Sequence, residues 1–577
     1  MKKKLLPALI VTGLIILVVI IMGITALINK YTPTKKTEDL KEYFNISSDD
    51  EVALIVNNEL SDYKAKIIDK KIYVDYKFVH DSLNSRFYWD ANENVLLYTT
   101  ASDIISAAAD SNSYSVTKQT NDFGYPIVKA TSDSALIALD YVKQYSNITF
   151  KSYDDPARIV ITSKWDEIDS ATVSKSTQVR VKGGIKSPIL KEVKKDDKIT
   201  ILDSGDKWDK VATEDGVIGY IKRKALSESK KTKLTNPDYE EETFTHIKKD
   251  KDICLAWNQV TSQSANSKVP QVISSTKGIN VMSPTWFYLN DNNGNLADIA
   301  SKDYVSYCHS QGIEVWGLFS NLENTDVDAA YVLTHTSTRT TLINQIMSAA
   351  FNYELDGVNI DFENITEAAY GDSYIEFIRE LSIKCHNNGI SLSVDVTVPA
   401  SFNKFFNRSD MAKFADYIVI MGYDEHYKGS DAGSVSSIPW VTEGVESTLK
   451  EVPADQIILG MPFYTRIWEL TPKEDDDAVT DTEDQSKYTV ASQVYSMDAA
   501  AAQLATNNAT AALDEESGQN YAEWSASNKL YKVWLEDSTS LEKRLKLVDD
   551  NKLAGAAFWK LGFENSFVWD TVIKYLD

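Results

Sequence analysis

The hydrophobic positions of the chain fall into three successive patterns. The first is one unbroken apolar run from Leu5 to Ile28 that contains no charged residue. The second, from about residue 51 to residue 226, consists of short β-branched and aromatic runs separated by turn residues, which predicts small strands. The third begins at Asp252, where apolar runs alternate with segments of helical periodicity. We therefore expect a membrane-spanning helix, a β-rich region and an α/β domain, in that order.

The third pattern predicts that residues 249–577 form an α/β domain, a (β/α)8 TIM barrel. Helical periodicity separates most of the strand-like runs, for example in residues 341–353 and 372–387. Eight successive β-then-α units fit a closed parallel barrel, with an insertion between the seventh and eighth strands. The insertion begins with an acidic stretch, residues 474–484, which we interpret as a solvated loop. The eight predicted strands are 253–257, 279–282, 313–319, 355–362, 390–396, 417–421, 456–459 and 554–559.

The apolar run at the N-terminus is long enough to cross a membrane. A helix rises about 1.5 Å per residue, so residues 5–28 span a hydrocarbon core of roughly 30 Å. The preceding lysines favour a cytoplasmic N-terminus, which predicts a single-pass protein of the cell membrane with the domain of residues 249–577 outside the cell. Because Ile24 to Leu27 make a poor cleavage site, a signal anchor over residues 1–30 is favoured over a cleaved signal peptide. Residues 31–50 are predicted to be a linker.

Charge and reactive side chains exclude several classes of function. The net charge is −24, from 84 acidic and 60 basic residues, which argues against nucleic-acid binding. The acidic surface is compatible with a neutral polymer as substrate, and equally with solubility alone. Three widely spaced cysteines, Cys254, Cys308 and Cys385, indicate no disulfide framework. The six histidines are scattered, so we expect no catalytic metal and no cofactor.

Residues 51–165 contain an internal repeat. Each copy predicts a strand, a short helix and a hairpin that closes on a branched or aromatic strand. The region resembles the small duplicated α+β stalk domain named after the N-terminal region of copper amine oxidases, and no cluster of copper ligands accompanies it. The two copies are residues 72–79 with 86–90 and 94–99, and residues 136–142 with 147–150 and 158–162.

Residues 170–228 predict a second small domain. Short strands alternate with turn residues, a pattern typical of a small closed β-barrel. The sequences Asp206-Lys-Trp-Asp-Lys-Val and Gly219-Tyr-Ile resemble a bacterial SH3-like domain. The resemblance implies either a module that binds cell-wall peptide or polymer, or an inert spacer. Residues 229–248, which are charged, are predicted to be a linker.

The predicted fourth barrel strand carries a row of polar side chains. It reads Asp356-Gly-Val-Asn-Ile-Asp-Phe-Glu363, and alternate side chains of a strand point to opposite faces. Asn359, Asp361 and Glu363 therefore share the inward face, while the apolar residues between them face the helices. Burying unpaired carboxylates is costly, so such a row indicates function. Glu363 ends the strand, at the side of the barrel where active sites lie.

Four motifs in the same order resemble glycoside hydrolase family 18, which includes chitinases and peptidoglycan-cleaving N-acetylglucosaminidases. The first is the strand just described, which reads Asp356-Gly-x-Asn-x-Asp-x-Glu, with Asn359 at a position where the family commonly has aspartate. The others are Met421-Gly-Tyr-Asp424, Gly460-Met-Pro-Phe-Tyr464 and Phe558-Trp559. The stretches 531–538 and 555–562 resemble the branch of spore-cortex and cell-wall lytic enzymes, in which Asn359 is a subfamily trait. It can hydrogen-bond Asp361 without adding a charge.

The resemblance implies a retaining mechanism in which the substrate's own 2-acetamido group attacks the anomeric carbon. It implies that Glu363 is the proton donor, that Asp361 orients the acetamide N–H, and that Tyr423 donates a hydrogen bond to the acetamide oxygen. Asp424 would hold the sugar, and Trp559 would form the floor beneath it. The other predicted substrate-binding residues are Asp356 (in a supporting role), Asn359, Met421, Tyr464 and Trp257, and further candidates are Trp286, Trp316, Trp468, Arg466 and Glu536.

The resemblance leaves three functions open. The first is a peptidoglycan N-acetylglucosaminidase of the cell wall or spore cortex, which the anchor and the SH3-like region favour. The second is a chitinase or endo-N-acetylglucosaminidase that acts on external glycans. The third is a non-catalytic glycan-binding barrel, which the presence of Glu363, Asp361 and Tyr423 disfavours.

Overall fold

The computed structural model describes residues 5–363, 365, 368–473 and 484–576, and these divide into two compact units. The first unit comprises residues 1–89, 107–114 and 120–241, and the second comprises residues 90–106, 115–119 and 242–577. The chain begins with the helix Leu5–Tyr31, whose described side chains are exposed. Within the described residues, Pro7–Tyr31 is the one helix long and apolar enough to cross a membrane.

One seven-stranded sheet of the first unit contains the strands of the second predicted copy but only the first strand of the first copy. The helices Tyr76–Ser82 and Leu139–Gln144 directly follow equivalent strands, and Asp75 caps the first of them by accepting a hydrogen bond from Lys77 N at 2.7 Å. Each predicted copy thus contains a strand that runs into a short helix, while the duplicated domain itself remains a prediction. In spatial order the strands are Thr149–Tyr153, Arg158–Thr162, Glu51–Val56, Glu59–Ile68, Lys71–Asp75, Ala135–Ala138 and Val128–Ala130. Five further strands are Phe87–Asp90, Val95–Thr99, Ile104–Ala108, Ser113–Val116 and Gln119–Asp122, and residues 90–106 and 115–119 of this stretch belong to the second unit.

The region predicted to be a closed barrel forms an open antiparallel sheet in the described residues. The edge strand Ile189–Val193 does not pair with the opposite edge of the sheet. It pairs with the segment before the first sheet, since Thr37 forms a β-bridge with Ile189 and Glu38 N donates to Ile189 O at 2.8 Å. Residues 31–50 are therefore not a free linker, and they also contain the short helix Leu40–Tyr43. The sheet order is Ile189–Val193, Thr177–Arg180, Ile218–Lys222, Trp208–Thr213, Lys198–Asp203, Glu167–Thr172 and Lys230–Lys233, with the 3₁₀ turn Arg223–Ala225.

The two small regions of the first unit share one hydrophobic cluster. Ala53 and Ile55 from the repeat pack with Val179 and Val211 from the second sheet, and Phe44 is fully buried among them. Burial of these side chains removes apolar surface from water, which stabilises the pair of regions together. The boundaries 51–165 and 170–228 remain predictions.

The second unit contains the predicted eight-stranded parallel barrel. Its first strand pairs with both the second and the eighth, so the sheet closes on itself. The prediction of a TIM-like barrel is thus confirmed. The strands are Ile253–Asn258, Val281–Leu289, Glu314–Ser320, Gly357–Asp361, Ser391–Thr397, Tyr417–Met421, Ile457–Pro462 and Gly555–Trp559, and the short strand Leu296–Asp298 pairs antiparallel with the second.

Helices surround the barrel and bury its outer apolar side chains. Val358, Ile360 and Phe362 of the fourth strand join a cluster that also contains Ile378 and Leu381 of the helix Ala368–His386. The helices are Val269–Ile273, Lys302–Ser310, Ala329–Thr334, Thr336–Tyr353, Ala368–His386, Arg408–Phe414, Ile438–Thr448, Ser538–Asn551 and Val568–Val572. The 3₁₀ turns are Gln263–Lys268, Ser401–Phe406 and Ala454–Gln456.

An insertion separates the seventh and eighth barrel strands, as predicted. It forms a five-stranded antiparallel sheet and the helix Met497–Thr506, whose N-cap is Ser496. Its strands, in spatial order, are Tyr488–Ser496, Tyr464–Pro472, Lys529–Leu535, Gln519–Ala526 and Ala512–Asp514, with the 3₁₀ turn Gln485–Lys487. The acidic stretch predicted as a solvated loop lies outside the described residues, except for Asp484.

Candidate active site

A cleft of about 620 Å³ opens where the barrel strands end. Seven of the predicted site residues line it: Trp257, Asp361, Glu363, Met421, Tyr423, Asp424 and Trp559. Active sites of this architecture lie at the carboxyl ends of the strands. The remaining lining residues are Asp395, Thr397, Val398, Pro399, Ala400, Phe402, Glu425, Tyr427 and Trp440.

The fourth strand delivers its carboxylates to the cleft because its side chains alternate. Asn359 is fully buried inside the barrel, Asp361 follows it on the same face, and Glu363 lies just beyond the strand end. Gly357 begins the strand beneath them, and a Cβ there would lie 2.5 Å from the Trp316 ring. A residue without a side chain is thus required for the strand to pass over this tryptophan.

The carboxyl groups of Asp361 and Glu363 are protonated more readily than free ones. Burial raises the pKa of Asp361 well above its ordinary value, and the charges of Glu363 and Glu323 raise it further. Burial also raises the pKa of Glu363, with added contributions from Asp424 and Glu323. Among the described residues, Oδ1 of Asp361 is buried and accepts no hydrogen bond. The cleft is therefore lined by two carboxyl groups with raised pKa values, either of which can hold a proton where a free carboxyl would lose it.

Asn321 fixes the backbone at Glu363. Its Nδ2 donates to the Glu363 carbonyl oxygen at 2.8 Å, and its Oδ1 accepts from Glu363 N at 3.0 Å. Glu323 lies in the same loop and accepts a hydrogen bond from Ser320 Oγ. These contacts hold the Glu363 main chain in one place while its side chain stays free to face the cleft.

Asn359 contacts Asp395, Trp257 and Ser283, so its expected hydrogen bond to Asp361 is not present. Its Oδ1 accepts from Trp257 Nε1 and from Ser283 Oγ, both at 2.9 Å, and its Nδ2 donates to Asp395 Oδ1 at 2.7 Å. The amide group is occupied on both sides, and Asn359 does not line the cleft. It holds other site residues in place and has no free group for substrate.

Three aromatic rings form one wall of the site. The Trp257 ring centroid lies 6.4 Å from that of Tyr423 and 6.0 Å from that of Trp559, in edge-to-face arrangements. Burial raises the pKa of Tyr423 well above its ordinary value, and the charges of Asp395 and Asp361 act in the same direction. The Tyr423 hydroxyl therefore keeps its proton and can donate a hydrogen bond.

Tyr464 reaches the site through Asp424. Its hydroxyl donates to Asp424 Oδ1 at 2.5 Å, and Arg466 Nη2 lies 3.7 Å from the same oxygen. Asp424 has a φ of +60°, a backbone conformation that residues other than glycine rarely adopt and that often marks functional sites. Tyr464 and Arg466 thus orient the Asp424 carboxylate, and neither of them lines the cleft itself.

Several predicted residues lie away from the cleft. Asp356 precedes the fourth strand at its amino end, roughly 16 Å from Asp361 at about 3.3 Å per residue. There its Oδ2 accepts from Val315 N at 2.8 Å and contacts His309 Nε2. Asp356 therefore does not line the cleft, and its contacts agree with the supporting hydrogen-bonding role expected of it. Trp286, Trp316 and Trp468 are buried in the core, and Glu536 is buried against Arg544.

Asp395 is the main site residue that the sequence prediction missed. It lies on the fifth strand, lines the cleft, and is only 4% exposed. A carboxylate on the polar face of a strand whose other face is apolar is a signal for it, of the same kind that identifies Asp361. Asn321, Glu323 and Trp440 lie outside the strand motifs and carry no such signal. Within the described ranges, no group of three or more His, Cys, Asp or Glu residues could hold a metal ion.

Comparison with known proteins identifies the domain. Residues 318–564 match the family model "Glycosyl hydrolases family 18". The chain contains a glycosyl hydrolase family 18 domain. By this domain it is a glycosidase, related in sequence to chitinase-like and cortex-lytic enzymes.

Similar proteins share the family 18 domain at low identity. The chain is 24% identical over 301 residues to the uncharacterized glycosylase YvbX of Bacillus subtilis, covering 49% of this chain and 81% of that protein. It is 25% identical over 287 residues to the cortical fragment-lytic enzyme of the same organism, covering 48% and 63%. A solved C-terminal domain of a chitinase-type protein from Desulfitobacterium hafniense superposes with a TM-score of 0.50 and 18% identity, over 57% of this chain and 100% of that one. This likeness shows the fold.

Proposed function

We propose that this protein hydrolyses β-linked polymers containing N-acetylglucosamine, and that its substrate is peptidoglycan. The observation that carries the hydrolase proposal is the pair Asp361 and Glu363, both facing one cleft and both with a raised pKa. A general acid must still hold its proton at the working pH, and burial beside other carboxylates supplies this property.

In the proposed mechanism Glu363 donates its proton to the glycosidic oxygen as the bond to the anomeric carbon breaks. The carbonyl oxygen of the substrate's 2-acetamido group attacks that carbon from the opposite face and forms an oxazolinium ion. Water, deprotonated by the Glu363 carboxylate, then attacks the same carbon and reopens the ring. Two inversions give net retention. An intramolecular nucleophile of this kind is already positioned, so no protein nucleophile is needed.

The other residues of the cleft stabilise the charges that form in these reaction steps and hold the sugar. The Asp361 carboxylate, which lines the cleft, would accept a hydrogen bond from the acetamide N–H and stabilise the oxazolinium charge. The Tyr423 hydroxyl would donate to the acetamide oxygen. Trp559 would pack beneath the sugar ring, and Asp424, oriented by Tyr464, would accept from a sugar hydroxyl.

Two observations favour peptidoglycan over chitin. One relative is named a cortical fragment-lytic enzyme, and the motifs of this chain resemble the branch of spore-cortex and cell-wall lytic enzymes. The apolar helix Pro7–Tyr31 would anchor the chain in the cell membrane with the barrel outside, next to the cell's own wall. The SH3-like and stalk assignments of the first unit fit the same setting and remain predictions.

The test uses the full chain in detergent micelles with purified peptidoglycan and with chitin oligomers, and identifies new reducing ends by mass spectrometry. We expect N-acetylglucosamine reducing ends from peptidoglycan. Glu363→Gln should lower kcat by about 10²- to 10⁴-fold. The matched control is Glu443→Gln, because Glu443 is an exposed carboxylate on the helix Ile438–Thr448.

Each alternative has its own outcome. Products from chitin oligomers alone would replace the peptidoglycan proposal with the chitinase alternative. Muramic-acid reducing ends would contradict the choice of bond. Binding of both polymers without any new reducing end would leave a glycan-binding barrel and refute the hydrolase proposal.

A further inference from the structure

The fifth barrel strand places a second carboxyl directly beside Asp361. Asn359 pairs with Ser393 and Ile360 with Val394 in parallel register, so the next step along both strands brings Asp361 level with Asp395. Neighbouring strands lie about 4.8 Å apart. Val394 belongs to the apolar cluster that packs under the helices, so Asp395 points to the inner face, as Asp361 does.

The hydrogen bonds of Asn359 fix which atom of Asp395 is occupied. The Asn359 Oδ1 accepts from two donors, Trp257 Nε1 and Ser283 Oγ, so its Nδ2 must be the group that faces Asp395. That Nδ2 donates to Asp395 Oδ1 at 2.7 Å. The second oxygen of Asp395 is left for another partner, and the neighbouring Asp361 has a buried oxygen without one in the part of the chain that the structure describes.

The groups around Asp395 disfavour a second negative charge. The charges of Asp361 and Glu363 act on Asp395, and the charges of Asp361 and Asp395 act in turn on the hydroxyls of Tyr374 and Tyr423. Burial and the charge of Asp361 raise the pKa of Asp395 well above its ordinary value, although the Asn359 hydrogen bond acts in the opposite direction. Two adjacent buried carboxyls cannot both ionise at low cost, so one proton remains between them.

We propose that Asp395 is a positioning residue that holds this shared proton and donates it in a hydrogen bond to Asp361, while Asn359 holds Asp395 in place. Asp361 then keeps a single negative charge and a fixed orientation toward the substrate's acetamide. The buried carboxyl that the family commonly has at position 359 is, in this chain, supplied from the next strand. The inference rests on the proposed function for its role in catalysis.

Infrared difference spectroscopy of the full chain tests the shared proton without any substrate. A protonated carboxyl has a C=O stretch that a carboxylate lacks, and we expect one such band from this pair at neutral pH in the wild-type protein. Asp395→Asn should remove it, because Asp361 beside a neutral amide ionises. The control Glu443→Gln should keep it. An unchanged spectrum in Asp395→Asn would overturn the proposal, whether or not the protein proves to be a hydrolase.

Kinetic measurements then distinguish whether Asp395 acts as a hydrogen-bond donor or as a negative charge. The amide introduced by Asp395→Asn can still accept from Asn359 and donate to Asp361, so kcat/KM at the optimum should stay within about tenfold of wild type. Asp395→Ala removes the donor and should lower kcat, more than it raises KM, by about 10- to 100-fold. An equal loss in both variants would mean that an ionised Asp395 is required, which would overturn the proposal. Thermal melting of each variant confirms that it is folded.

A swap of the two side chains provides a rescue test. Asn359→Asp alone adds a third carboxyl to the pair formed by Asp361 and Asp395, and we expect it to lower kcat/KM. Adding Asp395→Asn restores one acid and one amide on the same two strands, and should recover activity relative to Asn359→Asp. A double variant no more active than Asn359→Asp would contradict the idea that the two positions share one task.

Discussion

Glu536 is expected to stabilise the barrel and not to contact the substrate. Its two carboxylate oxygens accept from Arg544 Nη1 at 2.6 Å and Nη2 at 2.9 Å, a bidentate pair in which both side chains are fully buried. Gln519 Nε2 and Ser540 Oγ complete its hydrogen bonds at 2.8 and 2.7 Å. Glu536→Ala removes all four contacts and leaves the Arg544 charge buried without its partner.

The expected cost follows from this uncompensated charge. Breaking a buried ion pair by removing one partner destabilises a protein by about 3–5 kcal/mol, whereas the net value of the intact pair is small. Glu536→Ala should therefore lower the free energy of unfolding by about 3–5 kcal/mol. Replacing both residues, as in Glu536→Leu with Arg544→Met, should cost much less, because no charge is left buried.

Urea unfolding of the full chain in detergent, followed by tryptophan fluorescence, measures this difference. The control is Glu542→Ala, since Glu542 lies on the same helix as Arg544 but forms an exposed ion pair, with Lys574, and its loss should not change the urea midpoint. Below the transition, kcat/KM of the folded Glu536→Ala enzyme should equal that of wild type. An unchanged midpoint together with a large loss of kcat/KM would refute the structural role and restore a substrate contact.

Three further predictions concern the site and its support. Tyr464→Phe removes the hydrogen bond to the half-exposed Asp424 and should lower kcat/KM for peptidoglycan by about tenfold, with little change in thermal stability. Gly357→Ala places a methyl group against the Trp316 ring and should lower the free energy of unfolding in urea by about 1–3 kcal/mol. Glu363 must be protonated to act as the acid, so its raised pKa predicts that kcat/KM falls as pH rises through a value above the ordinary 4.5 of glutamate; a limb at or below 4.5 would contradict it.

The barrel could be predicted because its signals are local and repeated. Each strand is a short apolar run, each helix has its own periodicity, and the order of the runs fixes a parallel sheet. The alternation of the fourth strand also places Asp361 and Glu363 on one face, as the structure has them. These features depend on residues that are neighbours in sequence, so they can be predicted from a single amino-acid sequence.

The first unit shows where this reasoning stops. Residues 34–38 are polar and are therefore predicted as linker, yet their backbone groups complete an edge strand at Ile189. Backbone hydrogen bonds do not depend on side-chain polarity, so composition carries no trace of them. The large aromatic residues are ambiguous for a similar reason. Trp257 and Trp316 both lie in apolar strand runs, but only Trp257 lies at the carboxyl end where the cleft opens.

Asn359 illustrates the difference between a motif and a site. Within the fourth strand alone, an amide at a position that usually carries a carboxylate suggests a weakened enzyme. In the folded sheet, the same amide donates a hydrogen bond to the Asp395 carboxyl on the next strand, at a distance of 2.7 Å. The carboxyl that compensates for the amide, Asp395, is 36 residues away in sequence. Its position beside Asn359 depends on the strand register, which no single-strand motif encodes. The charge state of Asp361 is therefore a property of two strands together, and a substitution at 359 or 395 has no fixed effect unless the other position is specified.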